Sequence, residues 1–230
     1  MSDAELQVTD KSEKPIILPY ERCEEMYIED LGDIHTSKIY SFLKRTADII
    51  LSFLALIILA LPMIIILLVI KLTSKGSAIY KQERLGLNGK AFAIIKFRTM
   101  DMDAENDGCR WSDGDNDPRI TKVGRFLRKS RLDELPQFWC ILKGEMSIIG
   151  PRPERACFYN EFEEYIHGFS QRLKVKPGLT GLAQVKGGYY LKPEEKIIYD
   201  IDYIKNRNIG LEFKILFNTV KVMLKGDGAK

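Results

Sequence analysis

Histidine is nearly absent from this 230-residue chain, which has only His35 and His167. A Ser-His-Asp relay or a histidine-bound zinc centre therefore has little to be built from. The four cysteines, Cys23, Cys109, Cys140 and Cys157, show neither a C-x-x-C motif nor zinc spacing. Four free thiols in a reducing compartment are expected. No internal repeat is visible. Net charge is +3 with a pI near 8.5, a mild balance, and no nucleic-acid partner is expected.

The chain does have a long apolar run. Between Asp48 and Lys71 lie 22 uncharged residues, Ile49 to Ile70, of which 17 are Leu, Ile, Val or Phe. At ~1.5 Å per residue a straight helix of that length reaches about 33 Å, enough for a hydrocarbon core of roughly 30 Å. The run starts too late, is too long and lacks the small-residue cleavage site of a signal peptide. Pro62 removes one backbone donor and crowds the carbonyl four residues back, so a kink or break is expected near Ile58 to Leu61. Lys38, Lys44 and Arg45 precede the run and Lys71, Lys75 and Lys81 follow it. By the positive-inside bias both ends are cytoplasmic. A re-entrant helix, entering one leaflet and returning, is favoured over a kinked span.

This divides the chain into a polar N-terminal extension (1–37), a membrane-associated element (38–74) and a cytoplasmic domain (75–230). The extension is expected to be loosely ordered. In the domain, Ala78 to Glu83 and Ala91 to Phe97 read as strands around Leu87-Asn88-Gly89-Lys90, a hairpin signal because both central turn residues must accept positive φ. Asp101 to Asp117 holds seven acidic residues without periodicity and reads as a loop. It is not a calcium loop: counted from Asp113, the sixth position is Pro118 where glycine is needed, and the twelfth is Gly124 where a bidentate Glu belongs. Amphipathic helices are expected after Ile120, over Phe158 to Phe169, and over Leu211 to Leu224. Lys214, Lys221 and Lys225 would let the last lie on a membrane surface, pack on the core or permit a homodimer. The fold class is α+β, mostly helical, with a re-entrant membrane helix, a β-hairpin and amphipathic interfacial helices.

The segment Ser130 to Trp139 is richest in chemistry. Pro136 is tolerated in a helix's first turn, so a helix should begin near Asp133. Asp133 then reads either as an N-cap or as a carboxylate kept ionised at a helix N-terminus, beside amides suited to phosphate oxygens. Glu134 is adjacent, so a divalent cation could be held while one carboxylate attacks. Attack on a phosphate diester needs nearby cations, and Lys96, Arg98, Arg128, Arg131 and Arg152 are the candidates. The prolines of Pro151-Arg152-Pro153 would stiffen the backbone that presents Arg152.

These residues resemble the bacterial sugar transferases, membrane-associated polyprenyl-phosphate phosphoglycosyl transferases. The likeness runs through Lys81 to Gly86, Lys96 to Met100, Asp117 to Ile120, Leu132 to Gln137, Met146 to Glu154 and Pro177 to Gly181. It implies attack by Asp133 on the β-phosphate of a UDP-sugar, release of UMP, and transfer of the sugar phosphate to undecaprenyl phosphate. It further implies that Glu134, with Asp133, holds Mg²⁺, and that Lys96, Arg128, Arg152 and Asp200 serve the substrate phosphates. The location implied is the cytoplasmic face of the bacterial inner membrane, in contact with its lipid. The chain departs from the family pattern at Leu61-Pro62, where Ser-Pro is often seen. It also looks like a compact form, without the multi-span module of larger members. Two rivals remain: a UDP-releasing glycosyltransferase using Asp101-Met102-Asp103 as an Asp-x-Asp metal site, and a non-catalytic membrane scaffold.

Overall fold

The structure, a computed structural model, describes residues 20–104, 117–187 and 191–225. Expectations for residues 1–19, for Cys109 and for most of the acidic loop lie outside it. The element expected at the membrane is two helices, α1 (Lys38–Ile58) and α2 (Ala60–Thr73), bent by 59° at Leu59. Pro62 is the third residue of α2, where an amide has no intrahelical partner in any case. The break therefore falls where its ring would otherwise crowd the Ile58 carbonyl. Among the described residues no single helix is long and apolar enough to cross a membrane; the bent pair meets that test only together.

The first half of α1 is bolted to the domain by polar side chains. Arg45 donates to the carbonyls of Ile141 and Leu142, both at 2.8 Å. Lys44 donates to the Ile149 carbonyl at 3.0 Å and pairs with Glu212 at 2.6 Å. The buried Asp48 accepts from the Ser147 hydroxyl at 3.1 Å and the Ile148 amide at 2.9 Å. The far end of α2 returns to the same body, where Ile70 packs with Ala78, Phe97 and Leu127. Arg98 closes this end, its Nη2 lying 2.6 Å from Ser74 Oγ. Between the two attachments, Phe53, Ile57, Ile58, Leu61, Ile64, Ile65 and Leu68 point outward. Lys44 and Arg45, read from sequence as a basic flank, are structural pins.

The hairpin forms as expected, β2 (Ile79–Leu85) pairing antiparallel with β3 (Ala91–Phe97) from Leu85↔Ala91 to Ile79↔Phe97. Asn88 at φ 55° and Gly89 at φ 74° supply the left-handed pair that an Asn-Gly turn requires. Next come α3 (Lys122–Lys129), a 3₁₀ turn (Leu132–Glu134), α4 (Gln137–Lys143) and β4 (Ser147–Ile149). After α5 (Ala156–Glu163), β5 (Ile166–His167) and a 3₁₀ segment (Phe169–Lys174), β4 is paired in parallel by β6 (Gly178–Thr180). Beyond β6 lie α6 (Leu182–Lys186), α7 (Pro193–Asn206) and α8 (Ile209–Lys225). The main core gathers Cys140, Ile141, Met146, Ile149, Tyr203, Ile204 and Ile215 from α4, β4, the turn between them, α7 and α8. The result is a mixed α/β fold, mainly helical, with small sheets.

Three expectations change. The helix expected over Phe158 to Phe169 ends at Glu163; β5 follows it, and Gly168 (φ 94°) then turns the chain into the 3₁₀ segment. Glu163 caps that turn by accepting from the amides of Gly168 and Ser170. The N-terminal extension is not loose over residues 20–34. Its β1 (Met26–Tyr27) pairs with β5, and Gln171 accepts from the Leu31 amide while donating to the Glu29 carbonyl at 2.9 Å. These partners are remote in sequence and leave no local period to read. Finally, Cys23 and Cys140 are free thiols but Cys157 is disulfide-bonded. A bridge between distant cysteines has no spacing signature.

Candidate active site

The 3₁₀ turn that carries Asp133 and Glu134 starts from Arg131, whose φ of 56° is unusual for a side-chain-bearing residue. This sharp entry turns both carboxylates inward, leaving Asp133 8% and Glu134 6% exposed. Asp133 is inside the turn and caps neither it nor α4. The capping reading therefore fails, and a single 3₁₀ turn supplies little dipole.

Three elements bring cations to this pair. From β3, Lys96 Nζ lies 3.1 Å from Glu134 Oε1. From the loop after β4, Arg152 meets the same carboxylate with both terminal nitrogens, Nη2 on Oε1 and Nη1 at 3.4 Å from Oε2. From α3, Arg128 Nε donates to Thr99 Oγ1 at 3.0 Å, and its charge acts on Asp133. Gly124 makes this approach possible, since a Cβ there would stand 1.9 Å from the Thr99 carbonyl oxygen.

The two carboxyls titrate in opposite directions. Burial, then repulsion from Glu134, raises Asp133 to about 6, against the pull of Lys96, Arg152 and Arg128. Burial also opposes ionisation of Glu134, but the charges and hydrogen bonds of Arg152 and Lys96 outweigh it and hold this carboxyl well below its usual range. Burial lowers Lys96 despite Glu134. Near pH 7 the site therefore holds one carboxylate clamped by two cations and one mostly ionised carboxylate beside them.

Of the candidate residues, Asp133, Glu134, Lys96, Arg128 and Arg152 come together. Asp200 does not join them: it is buried on α7 and accepts from Arg172 Nε at 2.7 Å. Arg98 is committed to Ser74 at the end of α2. Asp101 and Asp103 are exposed, outside the carboxylate cluster. Sequence reasoning missed Arg172 and Thr99. Thr99 had a signal, since it lies in Lys96 to Met100, whereas nothing local distinguished Arg172 from a surface arginine.

A divalent cation can be tested against this donor set. Among the described residues no group of three or more His, Cys, Asp or Glu is placed to hold a metal. Two adjacent carboxylates still suit Mg²⁺, which commonly takes one or two carboxylates and completes its shell with water and substrate phosphates. Asp133 and Glu134 would be the carboxylates to hold it, and the ion would supply positive charge to the substrate phosphates.

Residues 39–226 match the family described as bacterial sugar transferase. The chain belongs to the bacterial sugar transferases. Among its relatives in that family is the UDP-N-acetylgalactosamine-undecaprenyl-phosphate N-acetylgalactosaminephosphotransferase of Aeromonas hydrophila, 39% identical over 212 residues, or 91% of this chain and 50% of the relative. The UDP-glucose:undecaprenyl-phosphate glucose-1-phosphate transferase of Escherichia coli (strain K12) is 40% identical over 87% of this chain and 45% of its own length. The undecaprenyl-phosphate galactose phosphotransferase of Salmonella typhimurium is 42% identical over 82% and 42% respectively. This sugar transferase chain spans about half the length of the curated relatives it matches.

Proposed function

We propose that the protein transfers a sugar 1-phosphate from a UDP-sugar to undecaprenyl phosphate. An Asp133 carboxylate oxygen attacks the β-phosphorus; the bond from that phosphorus to the bridging oxygen breaks, and UMP leaves carrying the bridging electrons. The phosphate oxygen of undecaprenyl phosphate then attacks the same phosphorus, freeing Asp133 and giving the diphosphate-linked sugar. No proton need move in either displacement if the acceptor phosphate is ionised.

The observation that carries this reading is the division of labour between adjacent buried carboxylates. Glu134 is paired with Lys96 and Arg152 and is the poorer nucleophile. Asp133 is mostly ionised at pH 7, only partly solvated, and near cations able to offset the negative charge of an incoming diphosphate. Mg²⁺ held by Asp133 and Glu134 would add positive charge at the phosphates. The relatives' names support the substrate pair.

The membrane element supports a re-entrant placement at the cytoplasmic face of the inner membrane. Both α1 and α2 dock on one body, so an apolar loop between them can enter a leaflet and return. On α8, Phe213, Phe217, Val220 and Met223 are exposed at helical spacing, a stripe suited to the lipid interface. A polyprenyl phosphate carries its phosphate at headgroup depth, and this mounting would hold Asp133 at that depth.

The test is incubation of purified protein with Mg²⁺ and a panel of UDP-sugars, with separate assays for UMP and UDP. UMP without UDP is expected. UDP as the product would favour direct glycosyl transfer and overturn the proposal.

A further inference from the structure

Arg152 is presented by a segment that cannot hold itself, because the prolines on either side of it have no amide hydrogen to donate. Its three carbonyls are instead each held from outside. The Pro151 carbonyl accepts from the Gly178 amide at 2.8 Å, the Arg152 carbonyl from Arg172 Nη2 at 2.8 Å, and the Pro153 carbonyl from Arg84 Nη1 at 3.3 Å. Of the two arginines, Arg172 is the more enclosed. Its side chain and that of Asp200 are 1% and 2% exposed, its Nε is 2.7 Å from Asp200 Oδ2, and its guanidinium lies 4.8 Å from the centre of the Phe169 ring.

We propose that Arg172 and Asp200 are positioning residues. Asp200 fixes the plane of the Arg172 guanidinium, whose Nη2 holds the Arg152 backbone, so that the Arg152 side chain reaches Glu134. Neither touches substrate. The chain of contact runs Asp200, Arg172, Arg152 backbone, Arg152 guanidinium, Glu134. This assigns Asp200 a different part from the phosphate contact that family resemblance implies. It rests on the proposed reaction only for its kinetic readout.

Buried pairs of this kind are strongly destabilising when one partner alone is lost, so the test uses conservative variants and a cycle. Asp200→Asn keeps shape and an acceptor oxygen, while Arg172→Lys keeps charge but loses the fork needed to reach Asp200 and the Arg152 carbonyl together. Each should lower kcat for UMP release by about 10²-fold, the scale of a misplacement of about 1 Å, with KM for the UDP-sugar within about twofold. In an Arg152→Ala background the same substitutions should lower kcat no further. Multiplying losses, an unchanged kcat, or a rise in KM as the main effect would each overturn the proposal, as would failure of both conservative variants to fold. If the unaltered protein releases no UMP, the reaction assigned above is wrong, yet the linkage is still tested by melting temperature. Asp200→Asn and Arg152→Ala should then be less than additive, and additive shifts would refute it.

Discussion

Replacing Asp133 by Asn should destroy UMP release yet make the protein more stable. A carboxyl moved from 3.8 to about 6 has a charged form disfavoured by about 3 kcal/mol in the fold. Solvent reaching the partly exposed side chain screens some of this, so a gain of roughly 1–3 kcal/mol is expected near pH 7.5. For a chain of this size that is about 3–10 °C in melting temperature. The pH dependence gives the sign. The folded value is raised, so below 3.8 Asp133 is protonated in both states and imposes no penalty. Stability is lost as pH rises from 3.8 to about 6, and the full penalty persists above. The advantage of Asp133→Asn should therefore shrink to about 0.6 kcal/mol at pH 4. Thermal melts in detergent, followed by intrinsic fluorescence at both pH values, measure this. A variant less stable than the parent at pH 7.5, or a gain equal at both pH values, would refute the electrostatic account of the pair.

Glu134→Gln should act in the opposite direction, destabilising by about 3–5 kcal/mol because Lys96 and Arg152 lose their shared anion; urea unfolding at pH 7.5 reports it. The rate of UMP release should fall on acidification with a midpoint near pH 6, where Asp133 takes up its proton, and a profile flat from pH 5 to 8 would contradict this. Gly124→Ala should destabilise by about 1–3 kcal/mol and reduce activity, since the new Cβ displaces α3 and Arg128 from Thr99. A cysteine introduced at Lys38 or Lys75 in otherwise cysteine-free protein should be labelled by a membrane-impermeant reagent only from the cytoplasmic side. Labelling of either from outside would replace the re-entrant arrangement with a span.

What the sequence reveals is mostly what lies in adjacent residues. The Asn88-Gly89 turn and the break ahead of Pro62 each depend on a few neighbouring positions, and each appears where expected; the helix expected to begin near Asp133 starts at Gln137 instead, after a 3₁₀ turn. The surroundings of that turn are not legible in this way. That Glu134 rather than Asp133 is neutralised depends on Lys96 and Arg152 arriving from two other elements, and burial then reverses the dipole argument for Asp133. Arg172 looks like any basic residue until α7 brings Asp200 against it. The same holds for the polar face of α1, whose Arg45 and Asp48 have partners about a hundred residues away.

The central claim is that Asp133 becomes covalently attached to the sugar phosphate. It is tested most directly by mixing the protein with a UDP-sugar in the absence of acceptor lipid, quenching in acid and measuring intact mass. The account predicts a gain of one sugar phosphate, mapped to Asp133 by peptide fragmentation, absent from Asp133→Asn and discharged by undecaprenyl phosphate. UMP release at full rate from Asp133→Asn, or an adduct on another residue, would contradict it.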